Sequence, residues 1–227
     1  MDPKEVLTEY SIKYVKDINI IGLGTGKTIR KLIEVMSKHE DLKKDKLFVA
    51  SSIDTEIELS KNNFNVITLF SGIRPQVYID SFDTITQDGI LIKGGGGALF
   101  REKLLTYFSQ KRIFIGDSNK MKRNKLYEVP VEVISVSINY IMKYLEDNGY
   151  AVKYREGSGK IGPVISDNGN AILDVVVKAE ELCKFNEIIK KIPGIVETGV
   201  FCKDLYDKVI IADENGRIEE IVRSSDL

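Results

Sequence analysis

Asn19-Ile20-Ile21-Gly22-Leu23-Gly24-Thr25-Gly26-Lys27-Thr28 joins an apolar run to a helical stretch through a turn with three glycines in five positions. A strand that is apolar almost without interruption, here from Ile18, fits a sheet covered on both faces. Glycine lets the backbone turn sharply and approach a ligand closely. The helix that follows, Lys27–Met36, presents its first amides to that turn, so the unit reads as a strand–cradle–helix suited to a phosphate. Two nucleotide-binding patterns are excluded by spacing. Gly22 and Gly26 enclose three residues where a Walker loop needs four, and Gly26 follows Gly24 by two where the dinucleotide fingerprint needs three. A phosphate monoester is the expected ligand, and a tight turn without ligand is the plain alternative.

Outward from this unit the same alternation continues, the pattern of an α/β fold. Strands are expected at Leu47–Ala50, Val66–Thr68, Val77–Asp80, Ile90–Lys93 and Ile113–Asp117, with helices at Thr55–Lys61 and Ala98–Ser109. After Pro130 the order changes to β-α-β-β-α-β: Val131–Val136, Ile138–Asp147, Ala151–Tyr154, Ala171–Val177, Ala179–Ile192 and Val196–Phe201. That is the split βαβ arrangement. Lys208–Asp213 and Arg217–Val222 read as a hairpin across Glu214-Asn215-Gly216, able to return to the first sheet.

Composition removes whole classes of chemistry. The chain has 227 residues, 43% hydrophobic and 30% charged, with net charge −1. That describes an ordinary globular protein, and the missing basic excess argues against a nucleic-acid partner. No apolar run is long enough to cross a bilayer, and Met1-Asp2-Pro3-Lys4-Glu5 lacks the apolar core of a signal peptide, so a cytoplasmic protein is expected. Cys183 and Cys202 have no metal-ligand or redox spacing and read as two separate thiols in a reducing compartment. His39 is the only histidine. Ser-His-Asp, Cys-His and HExxH machinery are therefore absent, and proton transfer falls to carboxylates and lysines.

The polar residues collect at strand ends. Gly22–Thr28 follows the first strand, Ser51-Ser52 the second, and Asp80, Lys93 and Asp117 end three more. In an open α/β sheet ligands bind outside the carboxyl ends of the strands, so five such ends line one crevice if the strands are parallel. The stretch from Asp80 to Ile90 is too short for a helical crossover and leaves one strand direction open.

Lys93-Gly94-Gly95-Gly96-Gly97-Ala98-Leu99 is the most specific string. Four successive glycines cost chain entropy, and between two patterned elements they point to backbone amides facing a ligand. On the helix beyond, Phe100, Leu104, Tyr107 and Phe108 form an apolar stripe expected in the core, which leaves Glu102 on the opposite face. Its place one turn after the glycine run nevertheless makes Glu102 a candidate for chemistry. Asp80-Ser81-Phe82-Asp83-Thr84 sets two carboxylates three apart, fit to cap a turn or to bind sugar hydroxyls; no further Asp/His cluster completes a metal shell.

These strings, in this order, resemble ribose-5-phosphate isomerase of the A type. Its Lys-Gly-Gly-Gly-(Gly/Ala)-Ala-Leu-x-Arg-Glu-Lys motif stands here as Lys93 through Lys103, and its phosphate loop as Gly22 through Thr28, with Lys27 where serine is usual. Asp80 and Asp83 keep the aspartates of the family's Asp-Gly-Ala-Asp-Glu string, while Ser81 and Thr84 depart from it. Asp117-Ser118-Asn119-Lys120, Asp167-Asn168-Gly169-Asn170 and Ile192-Pro193-Gly194 complete a likeness along essentially the whole chain.

The resemblance implies an α/β domain with an open, mostly parallel, Rossmann-like sheet over residues 1–129 and 204–227. A smaller ferredoxin-like α+β domain over 130–203 is implied with it. The implied activity is interconversion of D-ribose 5-phosphate and D-ribulose 5-phosphate without metal or cofactor, by a homodimer or homotetramer. Glu102 takes the place of the catalytic base, with Asp80 and Lys93 beside it in the chemistry. Asp83, Ser81, Phe82, Gly94, Gly95, Gly96 and Lys120 fall at substrate-binding positions. Thr25, Gly26, Lys27 and Thr28 fall at the phosphate, with Lys4 near it. A sugar-phosphate sensor without turnover is the rival on the same fold, and a sensor has no need of the carboxylate at Glu102.

Overall fold

The computed structural model describes residues 2–223. Met1 and residues 224–227, the last of which were expected to belong to the sheet domain, lie outside the described residues. In chain order the elements are α1 (Pro3–Ser11), β1 (Ile20–Leu23), α2 (Lys27–Met36), β2 (Leu47–Ala50), α3 (Ile53–Lys61), β3 (Val66–Ile67), β4 (Val77–Ser81) and β5 (Thr84–Thr86). There follow β6 (Leu91–Ile92), α4 (Leu99–Phe108), β7 (Lys111–Asp117), β8 (Met121–Lys122), β9 (Leu126–Val133), α5 (Ile138–Asp147) and β10 (Val152–Tyr154). The last are β11 (Ala171–Lys178), α6 (Leu182–Ile189), β12 (Ile195–Thr198), β13 (Val200–Phe201), β14 (Lys208–Ala212) and β15 (Ile218–Val222). The chain divides into two units. Among the described residues, one comprises 2–82, 101–121 and 203–223, the other Asp83–Phe100 and Lys122–Cys202.

The first unit is built on a seven-stranded sheet in the order β15-β14-β7-β4-β1-β2-β3, parallel except for the terminal hairpin β14–β15. Its inner strands bury Ile21, Leu23, Phe48, Val77, Ile79, Ile113, Ile115 and Ile210 in one apolar core. Onto that core α2 lays Ile29, Leu32, Ile33 and Met36, the i, i+3, i+4, i+7 stripe of an amphipathic helix. Each such side chain contributes about 1.5–3 kcal/mol on burial. The hairpin returns as expected, and β14 pairs in parallel with β7. Glu220 on β15 fastens it: the carboxylate accepts from Tyr10 (2.8 Å), Tyr14 and Lys208 Nζ (2.5 Å).

The second unit contains an antiparallel sheet in the order β10-β11-β9-β12, carrying the β-α-β-β-α-β connectivity of a ferredoxin-like fold. Val129, Val131, Val133, Leu173, Val175, Ile141, Leu145, Phe185 and Ile189 make its core. Strand β9 starts at Leu126 and runs through Pro130, earlier than the sequence suggests.

Two expectations are corrected here. The strand ending at Lys93 is not part of the parallel sheet: β6 pairs antiparallel with β5 and β13. The short stretch after Asp80 holds a hairpin because it has no room for a crossover helix. Cys183 and Cys202 are not separate thiols but a disulfide, their Cα atoms 6.1 Å apart. The fold brings α6 beside the end of β13, which no local spacing announces.

Candidate active site

Strand β1 ends at Leu23 because Gly24 turns out of the sheet, its N–H donating to the Ile79 carbonyl at 2.9 Å. A Cβ on Gly24 would stand 1.8 Å from the Asp80 carboxylate, so no other residue fits. The turn is then fixed from three sides. Thr55 Oγ1 donates to the Gly24 carbonyl at 2.6 Å, Thr25 N–H donates to Asp80 Oδ1 at 3.1 Å, and Thr25 Oγ1 lies 2.8 Å from Ser51 Oγ. Gly26 caps α2 with φ 121°, leaving the first amides of the helix without intrahelical acceptors. Thr28 is buried under that turn, and Lys27 is exposed. Lys27 lines a surface hollow with Arg30, Lys31, Glu34 and Glu58. Thr25, Ser51 and Asp80 thus meet at the carboxyl ends of the neighbouring strands β1, β2 and β4, where an α/β sheet binds its ligands.

Asp80 is fully buried and its acceptors are occupied by design of the strand. Oδ1 also accepts the Ser81 N–H at 2.7 Å, and Oδ2 accepts the Tyr78 hydroxyl at 2.6 Å. Burial, then the charges of Asp80 and Glu102, hold the Tyr78 hydroxyl well above its ordinary pKa, so it stays protonated and donates. Ser81 Oγ donates to the Thr25 carbonyl at 3.3 Å, which joins the two strand ends once more. Phe82 is packed at 1% exposure, with Lys120 Nζ 5.4 Å from its ring centroid.

Glu102 occupies the first turn of α4 and is 3% exposed. The apolar stripe expected to face the core does not do so: Tyr107 and Phe108 are 68% and 43% exposed. The helix is rotated so that Glu102, Leu105, Thr106 and Ser109 are buried, again an i, i+3, i+4, i+7 set. Hydrophobicity gave the wrong face because three of these four buried residues are polar, with Thr106 and Ser109 hydroxyls satisfied by helix carbonyls at 2.7 and 2.6 Å.

In the second unit Lys93 follows β6 and is 2% exposed, its N–H donating to the Gly199 carbonyl at 2.9 Å. Its ammonium lies 5.7 Å from the Phe201 ring centroid. Gly94 turns with φ 96°, and a Cβ there would stand 2.8 Å from Leu99 Cβ. Gly97 N–H closes the turn on the Gly94 carbonyl at 2.9 Å, leaving Gly95 and Gly96 at the surface. Asp83 joins them: its N–H donates to the Ile92 carbonyl at 3.0 Å, and its Oδ2 accepts the Gly95 N–H at 2.7 Å.

Of the residues expected from sequence, Thr25, Gly26, Thr28, Asp80 and Ser81 are brought together in the first unit. Asp83, Lys93, Gly94, Gly95 and Gly96 are brought together in the second. Lys4 stands in the first turn of α1, its N–H on Asp2 Oδ1. Ser51 stands at a strand end beside Thr25, as its place after the second strand suggested, whereas Tyr78 escaped the sequence reading as a partner of this machinery. The signal for Tyr78 was present, since residues i and i+2 of a strand share a face.

Comparison with known proteins decides the family. The model of ribose 5-phosphate isomerase A (phosphoriboisomerase A) matches residues 47–216. This chain is a member of the ribose 5-phosphate isomerase A family. A ribose-5-phosphate isomerase A of Legionella pneumophila (strain Lens) is 38% identical over 210 residues, 91% of this chain and 93% of the relative. Among solved structures, ribose 5-phosphate isomerase A from Methanocaldococcus jannaschii matches with TM-score 0.90 at 29% identity, covering 98% of this chain and 99% of that one. A D-ribose-5-phosphate isomerase in complex with phospho-erythronic acid also matches with TM-score 0.90, at 28% identity and 98% coverage of both chains. The sheet and the ferredoxin-like fold described above are thus those of ribose 5-phosphate isomerase A. Among the described residues no helix is long and apolar enough to cross a membrane.

Proposed function

We propose that this protein is an aldose–ketose isomerase that interconverts D-ribose 5-phosphate and D-ribulose 5-phosphate through an enediolate. The pathway assignment is the non-oxidative pentose phosphate route, in the cytoplasm, by a homo-oligomer, with no nucleic acid, membrane or cofactor involved. The observation that carries the reading is Glu102, a carboxylate buried in the first turn of α4, six residues beyond Gly96, in a chain whose only histidine is His39.

In the proposed reaction Glu102 takes the proton from C2 of the open-chain aldose as the C2–H bond breaks, and returns it to C1. General base catalysis of this kind contributes roughly 10²–10⁴-fold. Lys93 and the amides of Gly94 and Gly96 stabilise the enediolate oxygens, each donor contributing on the order of 3 kcal/mol, while the Gly95 amide holds the Asp83 carboxylate at 2.7 Å instead. Asp80 opens the sugar ring and moves the hydroxyl proton between O2 and O1. Asp83, Ser81, Phe82 and Lys120 hold the sugar, and Thr25, Gly26 and Thr28 hold the phosphate, with Lys27 and Lys4 adding charge near it. The binding of phospho-erythronic acid, a phosphorylated sugar acid, by a related isomerase supports this substrate class.

The test is a direct assay of ribulose 5-phosphate formation by the purified protein in excess EDTA. Turnover that persists supports the reading, and among the described residues no group of three or more His, Cys, Asp or Glu is placed to hold a metal. Turnover lost to the chelator and restored by a divalent ion would instead overturn the metal-free mechanism. Ligand binding without turnover would favour the sensor.

A further inference from the structure

The glycine run has no side chains with which to hold its own peptide groups, yet two of its carbonyls are held. Arg155, in the segment after β10, donates from Nη1 to the carbonyl oxygens of Gly94 at 2.8 Å and Gly95 at 3.0 Å. The other edge of the same guanidinium is engaged by Asp174 of β11, Nε to Oδ2 at 3.0 Å and Nη2 to Oδ1 at 2.5 Å. Asp174 is 5% exposed and the Arg155 side chain 18%. The Arg155 backbone is pinned as well, its N–H on the Ile172 carbonyl at 2.8 Å and its carbonyl accepting from Val164 at 2.7 Å. A bidentate guanidinium–carboxylate pair fixes a plane as well as a charge, which a lysine does not.

A peptide group is planar and trans, so a carbonyl held on one side directs the N–H of the next residue to the other. The Gly94 carbonyl faces Arg155, and the Gly95 N–H faces away, onto Asp83 Oδ2 at 2.7 Å. A cation on the carbonyl also polarises the peptide and strengthens its N–H as a donor. The four groups form a continuous relay within the second unit: Asp174, Arg155, the Gly94–Gly95 peptide, Asp83.

We propose that Arg155 is a positioning residue for the isomerase reaction, setting the orientation of the Gly94–Gly95 peptide and, through it, of the Asp83 carboxylate. The proposal rests on the reading of Asp83 and the glycine run as substrate-binding groups. Nothing in the sequence announces it, because Arg155 lies in a polar stretch sixty residues from the run it holds.

The test compares Arg155→Met, Arg155→Lys, Asp83→Ala and the double variant Asp83→Ala/Arg155→Met with the wild type. It uses kcat/KM for ribose 5-phosphate and, independently of turnover, the affinity for phospho-erythronic acid by calorimetry. Circular dichroism and thermal melting establish that each variant is folded at the assay temperature. Arg155→Met is expected to lose about tenfold to a hundredfold in kcat/KM, the scale of a hydrogen bond to a charged group. Arg155→Lys falls between it and the wild type. In the Asp83→Ala background the Met substitution is expected to add no more than about threefold, since the relay has lost its end point. A role in stability alone would lower the melting temperature and leave kcat/KM and this coupling unmoved. If Arg155→Met does not fold, Arg155→Lys decides. A folded Arg155 variant with wild-type kcat/KM and affinity, or fully multiplicative losses in the double variant, overturns the proposal alone. A wild type that neither turns over nor binds overturns it together with the isomerase reading.

Discussion

The hydroxyl of Tyr78 donates to Oδ2 of Asp80 at 2.6 Å, between side chains two residues apart on the fully buried strand β4. Because the hydroxyl is held protonated, it acts as a fixed donor and Asp80 cannot rotate away from the Thr25 and Ser81 amides. Tyr78→Phe removes that one atom and keeps the ring packed against Phe114. A hydrogen bond to a charged group is worth about 1.5–3 kcal/mol. The variant is therefore expected to lose about tenfold in kcat with a small drop in melting temperature. Steady-state kinetics showing wild-type kcat would detach Tyr78 from the chemistry.

Glu102→Gln keeps the shape of a side chain that is 3% exposed and removes only its basicity. Turnover is expected to fall by about 10²–10⁴-fold while phospho-erythronic acid still binds. Glutamine is the right replacement: truncation of so buried a residue would open a cavity and confuse stability with catalysis. Rapid-quench or coupled assays of the folded variant check the loss, and near-normal kcat would end the assignment of Glu102 as base.

Lys27 puts a positive charge on the first residue of α2, where the helix end is already positive. Its side chain is exposed beside Arg30 and Lys31. Lys27→Ser is expected to stabilise the ligand-free protein by a few tenths of a kcal/mol. It should raise KM for ribose 5-phosphate modestly at low salt and leave kcat unchanged, as when uniform binding is removed. A KM independent of both the substitution and the salt concentration would make Lys27 a bystander to the phosphate.

Glu220 titrates far below an ordinary carboxyl, at about 2 instead of 4.5, because Lys208 and then Tyr14 hydrogen-bond its charged form. A folded-state pKa below the unfolded one contributes stability above the unfolded value, and that contribution is lost as pH falls through the folded value. With its side chain one quarter exposed, screening reduces the effect to about 1 kcal/mol. Urea melts should show Glu220→Gln less stable than wild type by about that amount at pH 6, the gap closing between pH 4.5 and 2. A gap that stays constant across this range would contradict the assignment.

What the sequence disclosed was whatever depended on local pattern. The limits of α2 and β2 and the glycine turn at Gly24 follow from apolar period and backbone freedom, both written within a few residues. The failures share one physical origin, contact between distant segments. The two-residue strand β6 takes its partner β13 from over a hundred residues away, so its apolar run could not say which sheet it joins. On α4 the polar side is the buried one, with Glu102 and Thr106 packed inward, whereas hydrophobicity alone points to Tyr107 and Phe108. The Cys183–Cys202 bond depends on where α6 comes to rest, and the hold of Arg155 on the glycine run depends on the strand pairing of β10 with β11.

The return of the last hairpin to β7 has a consequence for the order in which the protein is made. During synthesis β7 leaves the ribosome long before β14, its parallel neighbour, exists. Until then its outer edge is a row of unsatisfied amides and carbonyls, an invitation to pair with any other extended chain. The nascent sheet stays incomplete while the whole ferredoxin-like insert is translated. A ribosome that stalls or releases the chain before Ala212 therefore yields a sticky intermediate, not a smaller stable protein.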